Sequence, residues 1–132
     1  MSTKKKAKKE PASIVWFEIP AHDLKRARKF YSSLFGRKIT KFPAAVEDYW
    51  HVDTGGKDAS PDGGMLKKKG PEHTITNYVS VPSVEKAAAK IQKLGGKVLM
   101  GKTAVPHMGY FALCHDTEKN MFAVWEVDKK AK

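Results

Sequence analysis

Cysteine is nearly absent from this sequence: Cys114 stands alone among 132 residues. An internal disulfide is therefore excluded, which fits a reducing compartment, and Cys114 reads as a small core hydrophobe in a strand. No apolar run approaches the roughly 18 residues that a membrane helix requires. The opening Met1-Ser2-Thr3-Lys4-Lys5-Lys6 lacks the apolar stretch of a secretory signal. A cytoplasmic protein with no membrane partner is expected. There is also no CxxC, no Ser-His-Asp arrangement and no pair of histidines at the spacing of a zinc protease. Gly55-Gly56 and Gly63-Gly64 flank a hairpin instead of opening a helix, which excludes a phosphate loop there.

Acidic residues are scarce, 14 against 25 basic ones, and the net charge is +11. Its location matters more than its size. Residues 1–10 hold five lysines and Glu10, and residues 129–132 hold three lysines, so the body from 11 to 128 carries only +4. Such ends can bury nothing and read as solubilising tails, 1–12 a disordered one. A polyanion could attract them, but no aromatic residue is interleaved to stack on bases, so a nucleic-acid partner is not expected.

The length allows one domain with a substantial core, over residues 13–128. Ile14-Val15-Trp16-Phe17-Glu18-Ile19 is β-rich and alternates from Trp16 onward. Asp23 can cap a helix in which Leu24, Ala27, Phe30, Tyr31 and Leu34 recur at helical spacing, and Gly36 ends it. Strands are expected near 38–42, 48–53 and 64–67, with a turn-rich stretch over 54–64. The second half repeats the pattern. A strand over 77–81 precedes Ser83 as a cap. Val84, Ala87, Ala88, Ile91 and Leu94 then form a helical stripe, Gly95-Gly96 stop it, and strands follow near 97–100, 110–115 and 121–127. An offset of 60 aligns the halves: Ile19 meets Val79, Asp23 meets Ser83, Ala27 meets Ala87 and Gly36 meets Gly96. An internal repeat fixes architecture before any other feature. The fold class is thus α+β, two βαβββ half-repeats (13–70 and 71–128) that imply two curved sheets with a helix outside each.

Several segments carry a family resemblance. Phe17 to Leu24 resembles the first strand and turn of the vicinal-oxygen-chelate (glyoxalase/bleomycin resistance protein/dioxygenase) superfamily. Ala27 to Gly36 resembles its first helix, Leu94-Gly95-Gly96-Lys97-Val98 the end of its second, and Val105 to Phe111 with Asp116 to Asn120 its last hairpin. The resemblance implies a U-shaped cleft between the two units. In the metal enzymes of that superfamily, a His or Glu in the first and last strand of each unit holds a divalent ion, which acts as a Lewis acid. Carried over, those positions fall on Trp16, on Thr76, within Gly63–Lys69 and on or next to Ala123. None offers an imidazole or carboxylate, so neither a metal nor another cofactor is expected. The resemblance also implies a homodimer.

Strand parity places Trp16 and Glu18 on the cleft side with Thr76, Tyr78, Ala123 and Trp125. Apolar and aromatic walls with a few polar groups suit a small-molecule ligand. His51 could join the cleft from the third strand, and His107 from the loop Pro106-His107-Met108-Gly109. These eight residues are the candidate ligand-binding set. Glu18 is the best candidate for catalysis, as a base or acceptor, though no catalytic role can be assigned. The leading expectation is a metal-free domain that binds an unidentified small molecule. The rivals are a metal-dependent lyase or dioxygenase with relocated ligands such as Glu18, His51 and His107, and a basic-tailed module that contacts nucleic acid.

Overall fold

Two helix signals in the sequence are realised at the residues that carry them. In the computed structural model, which describes residues 12–43, 47–55 and 61–132, Asp23 accepts the Arg26 backbone N–H at 2.9 Å and starts α1, Leu24–Phe35. Ser83 accepts from Lys86 N–H at 3.1 Å and starts α2, Val84–Lys93. Each cap satisfies one of the donors that a helix start leaves unpaired. Gly36 closes α1 in the left-handed conformation, with φ of 64°. The expectation for residues 1–12 lies, but for Ala12, outside the described residues, as does part of the stretch 54–64.

The strands are β1 (Ile14–Ala21), β2 (Lys38–Lys41), β3 (Tyr49–Asp53), β4 (Gly63–Lys67), β5 (Thr76–Ser80), β6 (Lys97–Val105), β7 (Gly109–His115) and β8 (Met121–Val127). They form one eight-stranded sheet in the order β2-β3-β4-β1-β5-β8-β7-β6. The expected two sheets are thus continuous, because β1 and β5 pair antiparallel. Within each unit the first strand pairs parallel to the last, β1 with β4 and β5 with β8. β1 pairs with β5 as Trp16↔Tyr78, Phe17↔Asn77 and Glu18↔Thr76. Under the repeat, Phe17 is the equivalent of Asn77, so a pseudo-two-fold axis passes through that pair. β6 is longer than expected and carries two register irregularities between Val98 and Thr103.

The best-packed core lies in the second unit, where Val84, Ala112, Cys114 and Val124 are buried with Val81, Ala87, Ile91 and Phe122 packed against them. α1 differs. It turns Leu24, Ala27, Arg28 and Tyr31 inward and leaves Phe30 and Leu34, expected in its apolar stripe, 58% exposed each. Arg28 explains part of this, since its guanidinium lies 3.7 Å from the Trp50 ring and takes a place on the sheet side. Phe30 and Leu34 instead line a shallow outer groove with Arg26, Lys29 and Ser33. Among the described residues, no helix is long and apolar enough to cross a membrane.

Residues 129–132 are not a loose tail. His107 N–H donates to the Ala131 carbonyl at 2.8 Å, Asp128 N–H donates to the Met108 carbonyl at 2.9 Å, and Ala131 is buried. A small apolar residue among lysines is enough to anchor the segment.

Candidate functional site

Residues paired across a sheet share a face. The register sets Glu18 opposite Gly64 and Thr76, Gly64 opposite His51, and His51 opposite Thr40. Trp16 lies opposite Tyr78, and Tyr78 opposite Ala123. One face therefore carries Trp16, Glu18, His51, Thr76, Tyr78 and Ala123, with Tyr49 two residues before His51 on the same side.

A hydrogen-bonded chain runs across that face. Trp16 Nε1–H donates to Tyr49 Oη at 2.9 Å. Tyr49 Oη–H donates to Glu18 Oε2 at 2.7 Å, and Tyr78 Oη–H donates to Glu18 Oε1 at 2.9 Å. Each carboxylate oxygen thus accepts one phenol. Burial pushes the Glu18 carboxyl above its ordinary value, against the opposing pull of the two phenols. Burial, and then the Glu18 charge, pushes both tyrosines well above the usual phenol range. Both phenols therefore remain neutral donors. Gly64 makes room for this arrangement, because a Cβ there would fall on the Tyr49 hydroxyl.

Beside the chain, the Trp16 and His51 rings lie parallel with centroids 5.8 Å apart, and Phe42 meets His51 edge-on at 6.2 Å. His51 Nε2 is 3.0 Å from Asp62 Oδ2, and Asp62 also accepts from the Thr54 N–H and hydroxyl. Burial alone would raise the Asp62 carboxyl, but Thr54 and His51 together hold it below its ordinary value. A cavity of about 280 Å³ opens here, lined by Trp16, Thr40, Lys41, Phe42, Pro43, His51 and Met108. Met108 comes from the β6–β7 turn, so both units of the one chain contribute to it.

The structure joins the sequence candidates into two neighbouring groups that share Trp16. Trp16 and His51 line the cavity, whereas Glu18 and Tyr78 are linked to Trp16 through Tyr49. Thr76 is buried beside Glu18, and its hydroxyl donates to the Thr74 carbonyl. Ala123 is fully buried opposite Tyr78 on the neighbouring strand. Trp125 stands apart, over Gly109, where a Cβ would strike its ring. His107 does not line the cavity; its neighbour Met108 does. Sequence reasoning missed Tyr49, Phe42 and Met108. For Tyr49 the signal was present, since it shares strand parity with His51.

The pairing also locates the fourth metal-ligand position of the resemblance. Tyr78 lies opposite Ala123 and its repeat equivalent Glu18 opposite Gly64, so Gly64 corresponds to Ala123. The four positions are Trp16, Gly64, Thr76 and Ala123. An indole N–H, a hydrogen, a hydroxyl engaged elsewhere and a methyl do not form a donor set for a divalent ion. Tyr49 fills the space at one of them. Among the described residues, no three His, Cys, Asp or Glu side chains converge as a metal site would need.

Residues 13–55 match the family described as bleomycin resistance protein-like N-terminal. A glyoxylase-like domain-containing protein of Didymella fabae is 34% identical over 119 residues, which span 84% of this chain and 91% of that protein. Two solved structures share the fold. A hypothetical protein from Bacillus halodurans superposes with a TM-score of 0.65 at 12% identity, covering 93% of this chain and 99% of its own. A glyoxalase/bleomycin resistance protein/dioxygenase superfamily member from Vibrio splendidus gives 0.61 at 10% identity, covering 89% and 100%.

Proposed function

The chain belongs to the glyoxalase/bleomycin resistance protein/dioxygenase superfamily, and we propose that it is a metal-free member that binds a small planar molecule in the cavity between Trp16, Phe42, His51 and Met108. The observation that carries this reading is the filling of the ligand positions: Tyr49 reaches over Gly64 and ties Trp16 to Glu18 where metal-bearing relatives would need donors. The cavity walls are aromatic and apolar, and Thr40, Lys41 and His51 supply polar groups at its rim.

Glu18 acts in this reading as a positioning residue. Both its oxygens are engaged by phenols, so it fixes Tyr49 and Tyr78 and, through Tyr49, the indole of Trp16. The relocated-ligand alternative needs Glu18, His51 and His107 together, and among the described residues they form no such group. We further propose a homodimer in the cytoplasm. The edge strands β2 and β6, which have a single partner each among the described residues, and the exposed Phe30 and Leu34 on α1 are surfaces that a second copy could cover.

A thermal-shift screen against metals and metabolites tests the function, since a ligand of the folded state adds about 2.7 kcal/mol at 100 times its Kd. A planar metabolite should raise the midpoint and divalent metals should not. Zinc, nickel or iron near one per chain after chelator-free purification would overturn the metal-free reading.

A further inference from the structure

The cavity wall contributed by the second unit is Met108. The residue is 46% exposed, so core packing does not hold it in place. A methionine has three rotatable bonds and adapts to whatever space it is given. Here the backbone supplies the constraint. His107 has a positive φ of 66°, an uncommon conformation for a residue with a Cβ. On either side of it the chain is tied down: His107 N–H to Ala131 O, Asp128 N–H to Met108 O, and Met108 N–H to Val105 O at 3.0 Å. The segment that holds the turn is itself braced, by Ala131 N–H to Asp128 O at 3.1 Å and Lys130 N–H to Asp128 Oδ1 at 2.8 Å. Ala131 is the anchor, 1% exposed.

We propose that residues 128–131 are a working part of the ligand site: they strap the 106–108 turn so that Met108 walls off the Trp16–His51 cavity and limits its occupant to a planar molecule of one or two rings. The inference rests on the reading that this cavity binds a ligand. The cavity is open on one side, and its volume suits an occupant of that size. An apolar void of about 150 Å³ accepts benzene. The 280 Å³ here is less than twice that, enough for a substituted ring or a fused pair, and lies at the small end of the roughly 300–1,000 Å³ typical of ligand sites. The flat aromatic walls and the thioether favour a ring over an aliphatic chain of equal volume.

Isothermal titration of the full chain with benzoate, 2-naphthoate and anthracene-2-carboxylate varies ring number at constant head group. The wild type should bind 2-naphthoate about 10-fold more tightly than the three-ring acid, a difference of about 1.4 kcal/mol. Met108→Ala should bring the two within about 3-fold by admitting the larger ring. Asp128→Ala, which loosens the strap from the surface, and Ala131→Asp, which expels its anchor, should do the same with Met108 still present. In both strap variants, but not in Met108→Ala, the His107 amide should exchange faster with solvent. Should Ala131→Asp fail to fold, Asp128→Ala carries that arm. If no acid binds the wild type, the ligand-binding reading fails and this inference with it. If the acids bind but the ratio is unmoved by Met108→Ala, the wall assignment is wrong. A ratio moved by Met108→Ala and by neither strap variant overturns the role of residues 128–131.

Discussion

Replacing Tyr49 with phenylalanine removes one oxygen and two hydrogen bonds at once. The bond to Glu18 is charge-assisted, a class worth about 1.5–3 kcal/mol, whereas an ordinary bond such as that from Trp16 Nε1–H contributes about 0.5–1.5 kcal/mol. The site is only partly buried, so water can rescue the indole N–H, and Glu18 keeps its bond from Tyr78. The net loss should be about 2 kcal/mol, a fall in melting midpoint of about 6–10 °C for a domain of this size. Tyr78→Phe should cost about 1.5 kcal/mol, because it severs a single bond to the carboxylate. The double variant leaves Glu18 half-buried with neither donor, so it should cost more than the two losses added. Urea unfolding followed by circular dichroism measures all three. A Tyr49→Phe protein within about 0.5 kcal/mol of wild type, or strict additivity in the cycle, would refute the view that the chain from Trp16 to Tyr78 acts as a unit.

Gly64→Ala should destabilise by more than Tyr49→Phe, since the added methyl displaces the phenol and strains its surroundings by about 1–3 kcal/mol; equal unfolding midpoints would count against the packing described. Two acids should respond to pH with opposite sign. Asp62 is held below its ordinary 3.8, so its contribution is present above that value and lost as pH falls through the folded value. Glu18 is raised above 4.5, so its contribution is present below 4.5 and lost as pH rises through the folded value. Asp62→Asn and Glu18→Gln should therefore remove opposite slopes from unfolding free energies measured between about pH 3 and about pH 7. No turnover of the methylglyoxal–glutathione adduct is expected without a cation to stabilise the enediolate, and a spectrophotometric rate above background would contradict this. Light scattering at micromolar protein should give a dimer mass, and a monomer mass would reject the homodimer.

The architecture was readable because its signals are local. Asp23, Ser83 and Gly36 act through the backbone of their own turns, and the offset of 60 reappears in the pairing of Phe17 with Asn77. Orientation was harder to read. Leu24, Ala27 and Tyr31 form one apolar stripe of α1, while Phe30 and Leu34 begin another. Helical spacing alone cannot say which of two overlapping stripes meets the sheet; Arg28 on Trp50 influences that choice through a tertiary contact. The site was half legible for a similar reason. Parity aligned Trp16, Glu18 and Tyr78 within single strands. Tyr49 matters because Gly64, on a different strand, leaves room for it, and Met108 matters because Ala131 anchors its turn. Both are relations between segments distant in sequence.

The β1–β5 ladder has a consequence for how the chain reaches its native state. Within each unit the antiparallel ladders join consecutive strands. Across the seam the partners are far apart in sequence: Glu18 and Tyr78, bonded at the centre, are separated by 60 residues. Loop-closure entropy must be met before such contacts stabilise anything, so nonlocal pairing slows folding. Each half can close its own ladders first and then wait, with β1 and β5 exposing unpaired backbone, until the two halves dock. Because those two strands are repeat equivalents, the waiting edge of one molecule is also a fair match for the edge of another. The Glu18 carboxylate, which takes one phenol from each half, then favours pairing of β1 with β5 over pairing of β1 with a second β1, where another Glu18 would stand in the place of Tyr78.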